Sequence, residues 1–214
     1  MDAVRRVLRE RLITDVQRLG SRQPCVIATM DILDRLEERR IEGDFVECGV
    51  WHGVHPILAK AYVEGRGYRP RKYWCYDTFA GMPPCGPEDQ NYRGGRPHDK
   101  PKDWLLVSLA QVKDNFAARK LLDRSVEFVG GMVEDTLRGP RIPTKISYLR
   151  LDTDFYASTR VELQVLYPLL VSGGALVLDD YGWWLGSQKA ADEYFGKGMA
   201  MTEIDRGARL IWKP

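Results

Sequence analysis

Two largely apolar runs in this sequence each end abruptly in a pair of carboxylates: Tyr148-Leu-Arg-Leu-Asp152-Thr-Asp154-Phe-Tyr156 and Ala175-Leu-Val-Leu-Asp179-Asp180-Tyr181. Such runs are typical of strands buried on both faces of a parallel sheet, whose ligands gather at the carboxyl ends of the strands. We therefore expect both acidic pairs at one edge of a sheet. Four carboxylates so close together repel one another unless a cation or protons lie among them, which makes a hard divalent metal ion the first ligand to consider.

Strands and helices alternate along most of the chain. Helices are predicted over 1–19 and near 27–36, 57–62, 104–119, 158–170 and 188–195, and the remaining strands over 45–50, 73–77, 126–129, 201–205 and 208–212. This alternation predicts a doubly wound, mainly parallel sheet. The last two strands are joined only by Arg206-Gly207, which is too short for a parallel crossover, so they should form an antiparallel hairpin. A mostly parallel, seven-stranded sheet with such a hairpin is the Rossmann-like class I methyltransferase fold, here over 41–214 and preceded by a helical extension over 1–40.

The composition and charge of the chain bear on its number of domains, its partners and its cysteines. The 214 residues suit one large domain, and 32 Lys and Arg against 30 Asp and Glu give a net charge of +2. This balance predicts neither nucleic acid nor a membrane surface as a partner. The charged N-terminus lacks the apolar stretch of a signal peptide, and no run approaches membrane-spanning length. The four cysteines lack C-x-x-C spacing, so we expect reduced thiols in a cytoplasmic protein.

The first junction between a strand and a helix is where a nucleotide-like cofactor would bind. It contains Glu47-Cys-Gly-Val-Trp-His-Gly-Val-His55, with two glycines four residues apart. Glycine lets the backbone approach a ligand, and the following helix offers free amides. The spacing is not G-x-G-x-x-G, so pyrophosphate binding is poorly supported. One strand later, Asp77 either accepts hydrogen bonds from ribose hydroxyls or caps a helix.

A long segment rich in Pro, Gly and charge follows at 82–102, and such a loop is usually functional or mobile. It carries a basic cluster formed by Arg93, Arg96, His98, Lys100 and Lys102. The cluster is either a solvated loop surface or a contact for an anionic substrate.

Three further features each have two interpretations. His52 and His55 could bind a metal ion from one helix face, or contact solvent, cofactor or substrate instead. Trp183 and Trp184 could pack in the core or stack on a sugar or a flat acceptor. The amphipathic first helix could pack on its own sheet or on a second copy, which leaves a homo-oligomer open.

Six groups of residues between positions 47 and 182 occur in order and with consistent spacing, and the likeness that they carry runs from about Ile27 to the C-terminus. They are Glu47-Cys-Gly-Val-Trp51, Asp77-Thr-Phe-Ala-Gly-Met-Pro83, 107–116 with 121–123, 126–137, 151–159 and Asp179-Asp-Tyr-Gly182. Together they resemble the macrocin O-methyltransferase (TylF-type) family. That family methylates sugar hydroxyls of macrolide and aminocoumarin antibiotics, using S-adenosylmethionine and Mg²⁺.

The resemblance implies a role for each matching residue. The methionine end of the cofactor would lie against Glu47, Gly49, Val50 and Trp51, its ribose against Asp77, Thr78 and Phe79, and its adenine near Gly131 and Met132. The metal ligands would be Asp152, Asp179 and Asp180, and the general base Asp154, although the roles of Asp152 and Asp154 are not separated. The substrate would be a small-molecule acceptor with a sugar hydroxyl or a vicinal diol.

Two departures from the family pattern lie close to these residues. After Gly-Val-Trp the family usually has Arg and then Gly-Gly-Ser, whereas this chain has His52-Gly-Val-His-Pro56. Thr153 stands where the family has glycine. Losing a glycine and a hydroxyl would reshape the pocket for the cofactor's carboxylate tail. The alternatives are therefore a methyltransferase for a catechol-like or amine acceptor, and a non-catalytic binding protein with a degraded cofactor loop.

Overall fold

The computed structural model describes residues 3–96 and 103–214, and its centre is a seven-stranded sheet. The strands are β1 (Asp44–Cys48), β2 (Tyr73–Asp77), β3 (Val126–Gly130), β4 (Ile146–Leu151), β5 (Leu170–Leu178), β6 (Thr202–Glu203) and β7 (Arg209–Trp212). Their order is β3-β2-β1-β4-β5-β7-β6. β1 to β5 pair in parallel, whereas β7 is antiparallel to both β5 and β6. The predicted class I methyltransferase fold, including its C-terminal hairpin, is confirmed.

Helices cover both faces of this sheet. They are α1 (Ala3–Gln17), α2 (Gln23–Glu38), α3 (Val54–Arg66), α4 (Leu109–Ala117), α5 (Val133–Thr136), α6 (Tyr156–Leu166) and α7 (Leu185–Phe195). α1 to α4 pack with Tyr148 and its neighbours on one face, and α5 to α7 pack with Leu149 and its neighbours on the other. Because side chains alternate along a strand, covering both faces buries all six residues of β4.

Several predicted boundaries are wrong. α4 begins at Leu109 rather than near 104, because Ser108 and Gln111 form a reciprocal capping box there. α6 ends at Leu166 and a turn of 3₁₀ helix with Pro168 follows, so β5 begins at Leu170, earlier than the apolar run indicated. The first hairpin strand is only two residues long, and the short α5 was not predicted.

The N-terminal helices are tied to the rest of the chain by a buried carboxylate. Asp34 of α2 accepts hydrogen bonds from Arg9 of α1 (3.1 Å), from Tyr62 of α3 (2.9 Å) and from Tyr68 (2.6 Å), and Arg5 also pairs with it. α1 therefore packs on its own chain. The domain boundary at residue 40 and the oligomeric state stay predictions.

Two further features of the described residues concern membrane spans and cysteines. No helix in the described ranges is long and apolar enough to span a bilayer. All four cysteines are free, and Cys25, Cys48 and Cys75 are buried, as expected for reduced thiols.

Candidate active site

One pocket at the carboxyl edge of the sheet brings the predicted cofactor loop and the acidic runs together. The predicted residues that line it are Glu47, Gly49, Val50, Trp51, Asp77, Thr78, Gly131, Met132, Asp152, Asp154 and Asp179. Two predicted residues are not part of the lining. The Phe79 ring packs against Phe128, with 6.4 Å between ring centroids, and Asp180 is buried beside Asp154, whose backbone N–H donates to it (3.2 Å).

The cofactor loop and the first acidic run touch through the backbone. Gly49 has φ +82°, and a Cβ at this position would collide with the carbonyl oxygen of Asp152. The Asp152 N–H donates to the Cys48 carbonyl (2.9 Å), and the Gly49 N–H donates to the Tyr76 carbonyl (2.8 Å). Glycine is therefore required at 49 by both the conformation and the close approach.

Asp77 joins the loops that follow β1 and β2. Its carboxylate accepts hydrogen bonds from the backbone N–H groups of Trp51 (3.0 Å) and Phe79 (2.8 Å), which both have positive φ. It is not a helix cap. A carboxylate offers about four lone-pair sites, so Asp77 retains capacity for further donors in the pocket.

The two acidic pairs meet at one edge of the sheet, as their positions after β4 and β5 predicted. Asp152, Asp179 and Asp180 can each place a carboxylate oxygen within 4.8 Å of the other two. Within the described ranges they form the group of side chains that could hold a metal ion. Three hard oxygen ligands suit Mg²⁺ or a similar divalent cation.

A buried arginine, missed by the sequence analysis, lies beneath this cluster. The Arg150 guanidinium donates to Glu47 (3.0 Å) and Asp152 (3.0 Å), and it also pairs with Asp179. β1 and β4 pair Glu47 with Arg150, so both side chains point to the same face. The sequence could have revealed Arg150, because it is a charged residue inside an otherwise apolar strand. Its positive charge offsets part of the carboxylate repulsion that had suggested a cation.

A second arginine pairs with the cluster from the connection between α1 and α2. Arg22 bridges Asp179 (2.6 Å) and Asp205 (3.0 Å) of the C-terminal hairpin. Burial alone would raise the pKa of Asp179, but Arg150 and Arg22 together hold it at about 2. Asp179 is therefore ionised at any physiological pH.

The pKa values of the other three carboxyl groups of the acidic runs are shifted in the opposite direction. Burial, reinforced by the charge of Asp179, raises the pKa of Asp152 well above its ordinary value. Burial and the neighbouring Asp154 do the same for Asp180. Burial raises the pKa of Asp154 to about 7, with a further contribution from the charge of Asp152. The cluster thus favours bound protons or a bound cation.

The two histidines do not form a metal site. Both ring nitrogens of buried His55 are hydrogen-bonded, Nε2 to Ser21 (3.1 Å) and Nδ1 to Thr29 (3.0 Å). The His52 ring lies against Trp51, with 4.2 Å between ring centroids. α3 begins at Val54 and accommodates a proline in its first turn, so the unusual loop sequence still leads into a regular helix.

The two tryptophans after the second acidic pair have different surroundings. Trp184 is buried and packs edge-on against Phe155, with 6.0 Å between ring centroids. Trp183 is only half-buried and lies near Tyr92, with 5.6 Å between ring centroids, while the Arg206 guanidinium lies over both rings. One tryptophan is therefore a core residue, and the other lies on an aromatic surface.

The loop that follows β2 is fastened to the turn after Asp180. The Leu185 N–H donates to the Gln90 carbonyl (2.8 Å), and the Tyr92 N–H donates to the Trp183 carbonyl (3.2 Å). From the predicted basic cluster, Arg93 is exposed and its guanidinium lies 5.2 Å from the centroid of the Tyr92 ring. His98, Lys100 and Lys102 lie outside the described residues.

A family model, two characterised relatives and a solved structure all match this chain to O-methyltransferases. A sequence model of the macrocin O-methyltransferase (TylF) family matches residues 25–210. The chain is 36% identical, over 93% of its length and 80% of the relative, to 8-demethyl-8-(2,3-dimethoxy-α-L-rhamnosyl)-tetracenomycin-C 4′-O-methyltransferase of Streptomyces olivaceus. It is 35% identical, over 86% of its length and 73% of the relative, to demethyldecarbamoylnovobiocin O-methyltransferase of Streptomyces niveus. The solved O-methyltransferase NovP superposes with a TM-score of 0.78 at 30% identity, covering 89% of this chain and 80% of NovP.

Proposed function

The chain belongs to the macrocin O-methyltransferase (TylF) family and is an O-methyltransferase, and from this premise we propose the rest of its reaction. It transfers the methyl group of S-adenosylmethionine to a hydroxyl group of a glycosylated natural product. The reaction takes place at a site that also binds a divalent cation.

One observation carries this proposal. A single pocket is lined both by the residues expected to contact S-adenosylmethionine and by the carboxylates expected to act on the acceptor. Methyl transfer requires the hydroxyl oxygen, the methyl carbon and the sulfur to lie in line at close range. Since Gly49 is in contact with the backbone of Asp152, the two halves of the reaction are held together by the fold itself.

The cofactor half of the pocket is formed by residues at the carboxyl ends of β1, β2 and β3. Glu47, Gly49, Val50 and Trp51 would contact the methionine moiety. The ribose hydroxyls would donate to the lone pairs that Asp77 retains, beside Thr78. Gly131 and Met132 would border the adenine. Phe79, which packs away from the pocket, would act by supporting this wall.

The residues of the acidic cluster fit a divalent cation, which Asp152, Asp179 and Asp180 would hold. Both oxygens of Asp179 already pair with arginines, but each keeps a lone pair for a ligand bond. Burial and neighbouring negative charges raise the pKa values of Asp152 and Asp180, and a bound cation would oppose this effect. When bound, the cation polarises the acceptor hydroxyl and lowers its pKa.

Asp154 is the better candidate for the general base. It lines the pocket and lies outside the three carboxylates grouped to hold a cation, whereas Asp152 belongs to that group and is paired with Arg150. Asp154 would take the hydroxyl proton on its carboxylate as the acceptor oxygen bonds to the methyl carbon, whose bond to sulfur breaks and leaves neutral S-adenosylhomocysteine. Asp152 keeps its charge for the cation. We propose this division for the two roles that the sequence left unassigned.

The acceptor is proposed to be a sugar-bearing molecule. The names of the two bacterial relatives specify a rhamnosyl-bearing tetracenomycin and demethyldecarbamoylnovobiocin. Tyr92 and Trp183 lie outside the pocket lining but form an aromatic surface at the turn after Asp180, and such surfaces suit the apolar face of a sugar ring. Membership of an enzyme family argues against a non-catalytic binding protein.

Binding of S-adenosylhomocysteine tests the cofactor assignment directly. At 100 times its Kd, it should stabilise the protein by about 2.7 kcal/mol in thermal unfolding. Turnover should then be measured by mass spectrometry with glycosylated, catechol and amine acceptors, in EDTA and in added Mg²⁺. No stabilisation would refute the cofactor proposal, and full turnover in EDTA would refute the metal proposal.

Asp180→Asn tests the cation site with the least disturbance. Asp179 also neutralises two arginines, so its replacement would unbalance the core, whereas Asp180 bonds to the backbone N–H and to the side chain of Asp154. We expect Asp180→Asn to lose Mg²⁺-dependent turnover while retaining cofactor binding. Asp135→Asn, at an exposed carboxylate, is the matched control.

A further inference from the structure

The connection between α1 and α2 crosses the mouth of the cofactor pocket. Gly20, Ser21 and Arg22 all line that pocket. A Cβ on Gly20 would lie 3.0 Å from the ring of Trp51, and Ser21 is hydrogen-bonded to His55. Since Arg22 pairs with the acidic cluster, these three residues of the connection each meet a different part of the site.

The hydrogen bonds around Thr29 determine which nitrogen of His55 carries the proton. The Thr29 hydroxyl contacts the Cys25 carbonyl (3.0 Å), the His55 Nδ1 atom (3.0 Å) and the Tyr148 hydroxyl (3.1 Å). All three contacts are hydrogen bonds at once only when Thr29 donates its one hydrogen to Cys25, since a carbonyl can only accept. The other two contacts are hydrogen bonds only if Tyr148 and His55 Nδ1 donate to Thr29.

This assignment leaves the Nε2 atom of His55 without a proton. Nε2 therefore accepts, and the Ser21 hydroxyl donates its hydrogen to it (3.1 Å). Full burial lowers the pKa of His55 well below its ordinary value, in agreement with a neutral ring. With its hydrogen committed, Ser21 presents only lone pairs to the pocket.

A second acceptor in the same pocket also lacks a donor. Glu47 is 1% exposed and lines the pocket, and its Oε2 atom has no hydrogen-bond partner among the described residues. An unpaired buried carboxylate oxygen is costly. Burial raises the pKa of Glu47 to about 8, so a positively charged ligand group would favour its ionised form. A cationic group with several N–H donors would therefore suit both Glu47 and the lone pairs that Ser21 presents to the same pocket.

We propose that Ser21, oriented by His55, accepts a hydrogen bond from the α-ammonium group of S-adenosylmethionine. The inference rests on the proposed function, which places the methionine end of the cofactor beside Glu47. The family's cofactor loop usually carries serine at the position of His55. In this chain the hydroxyl comes instead from the N-terminal extension, which makes that extension part of the cofactor site.

The test compares two ligands that differ in the methionine moiety. S-adenosylhomocysteine carries the ammonium group, whereas 5′-methylthioadenosine lacks the whole amino-acid end. Ser21→Ala should raise the Kd of S-adenosylhomocysteine roughly 10-fold and leave that of methylthioadenosine within about twofold, as measured by isothermal titration calorimetry. Ser172→Ala, at an exposed serine of β5, is the matched control.

Two replacements of His55 separate its orienting role from a purely structural one. Asparagine can keep a donor to Thr29 but offers no acceptor to Ser21, while glutamine can place an acceptor near Ser21. His55→Asn should therefore weaken S-adenosylhomocysteine binding as Ser21→Ala does, and His55→Gln should retain most of it. The double variant S21A/H55N should bind no more weakly than S21A alone, because both changes remove the same interaction.

Each result has a defined meaning. If wild-type protein does not bind S-adenosylhomocysteine, the proposed function and this inference both fail. If it binds and Ser21→Ala binds equally tightly, only the inference is overturned. Equal weakening of both ligands would also overturn it, because the contact would then not be with the methionine end. A larger loss in H55Q than in H55N would contradict the orienting role of His55.

Discussion

Glu162 of α6 is a buried acid whose replacement should stabilise the protein at alkaline pH. It is fully buried, and its Oε2 atom accepts a hydrogen bond from Thr153 (3.1 Å), the residue between the two carboxylates of the first acidic run. Its Oε1 atom has no partner among the described residues. Burial raises its pKa from 4.5 to about 8, and the charge of Glu134 adds to this effect. Glu162 is therefore largely neutral in the folded protein near pH 7.

The effect on stability follows from the difference between the folded and unfolded states. The unfolded chain ionises Glu162 near pH 4.5, while the folded chain holds the proton until about pH 8. Stability therefore falls as pH rises through this window. One pKa unit corresponds to about 1.4 kcal/mol, so the loss reaches about 3–4 kcal/mol between pH 5 and 8.5.

Glu162→Gln mimics the neutral acid and cannot ionise. The free energy of unfolding of this variant and of wild type should be measured by urea denaturation at pH 5 and at pH 8.5. We expect the variant's advantage over wild type to be about 3 kcal/mol larger at pH 8.5 than at pH 5. Glu38→Gln, at an exposed position, should show no such gain. If the gain of Glu162→Gln from pH 5 to 8.5 is below about 0.5 kcal/mol, then Glu162 is already ionised in the fold and the reasoning is wrong.

Three other replacements probe the site. Asp154→Asn should lower kcat by about 10²–10⁴ with Kd for S-adenosylhomocysteine unchanged, since it removes only the base; a tenfold weaker Kd would contradict this. Arg150→Met should lower the free energy of unfolding in urea by about 3–5 kcal/mol, because it leaves buried carboxylates unpaired, and a loss below 1 kcal/mol would count against that pairing. Gly20→Ala should weaken S-adenosylhomocysteine binding about fivefold, because the added methyl group presses on Trp51. Gly198→Ala is the control, since Gly198 has a similar φ (+94° against +93°) but open space around it, and it should not weaken binding. Equal effects of the two variants would indicate backbone strain alone.

Much of the site was predictable from local patterns. Residues that directly follow a buried strand must emerge at its carboxyl end, so the runs ending at Asp152 and Asp179 already implied one acidic edge. The short link at Arg206-Gly207 already required a hairpin. These conclusions depend on chain connectivity and strand periodicity, which are properties of neighbouring residues.

Other features depend on which distant residues meet. The pairing register of β1 and β4 placed Arg150 beside Glu47, and the docking of α1 and α2 brought Ser21 to His55. Contacts between distant residues also placed Trp184 in the core and left Trp183 at the surface. The sequence by itself determined the class I methyltransferase fold and the acidic edge, because both follow from local chain geometry. Only the tertiary structure decided how the buried charges are compensated and which residues complete the cofactor pocket, because these contacts join segments far apart in the chain.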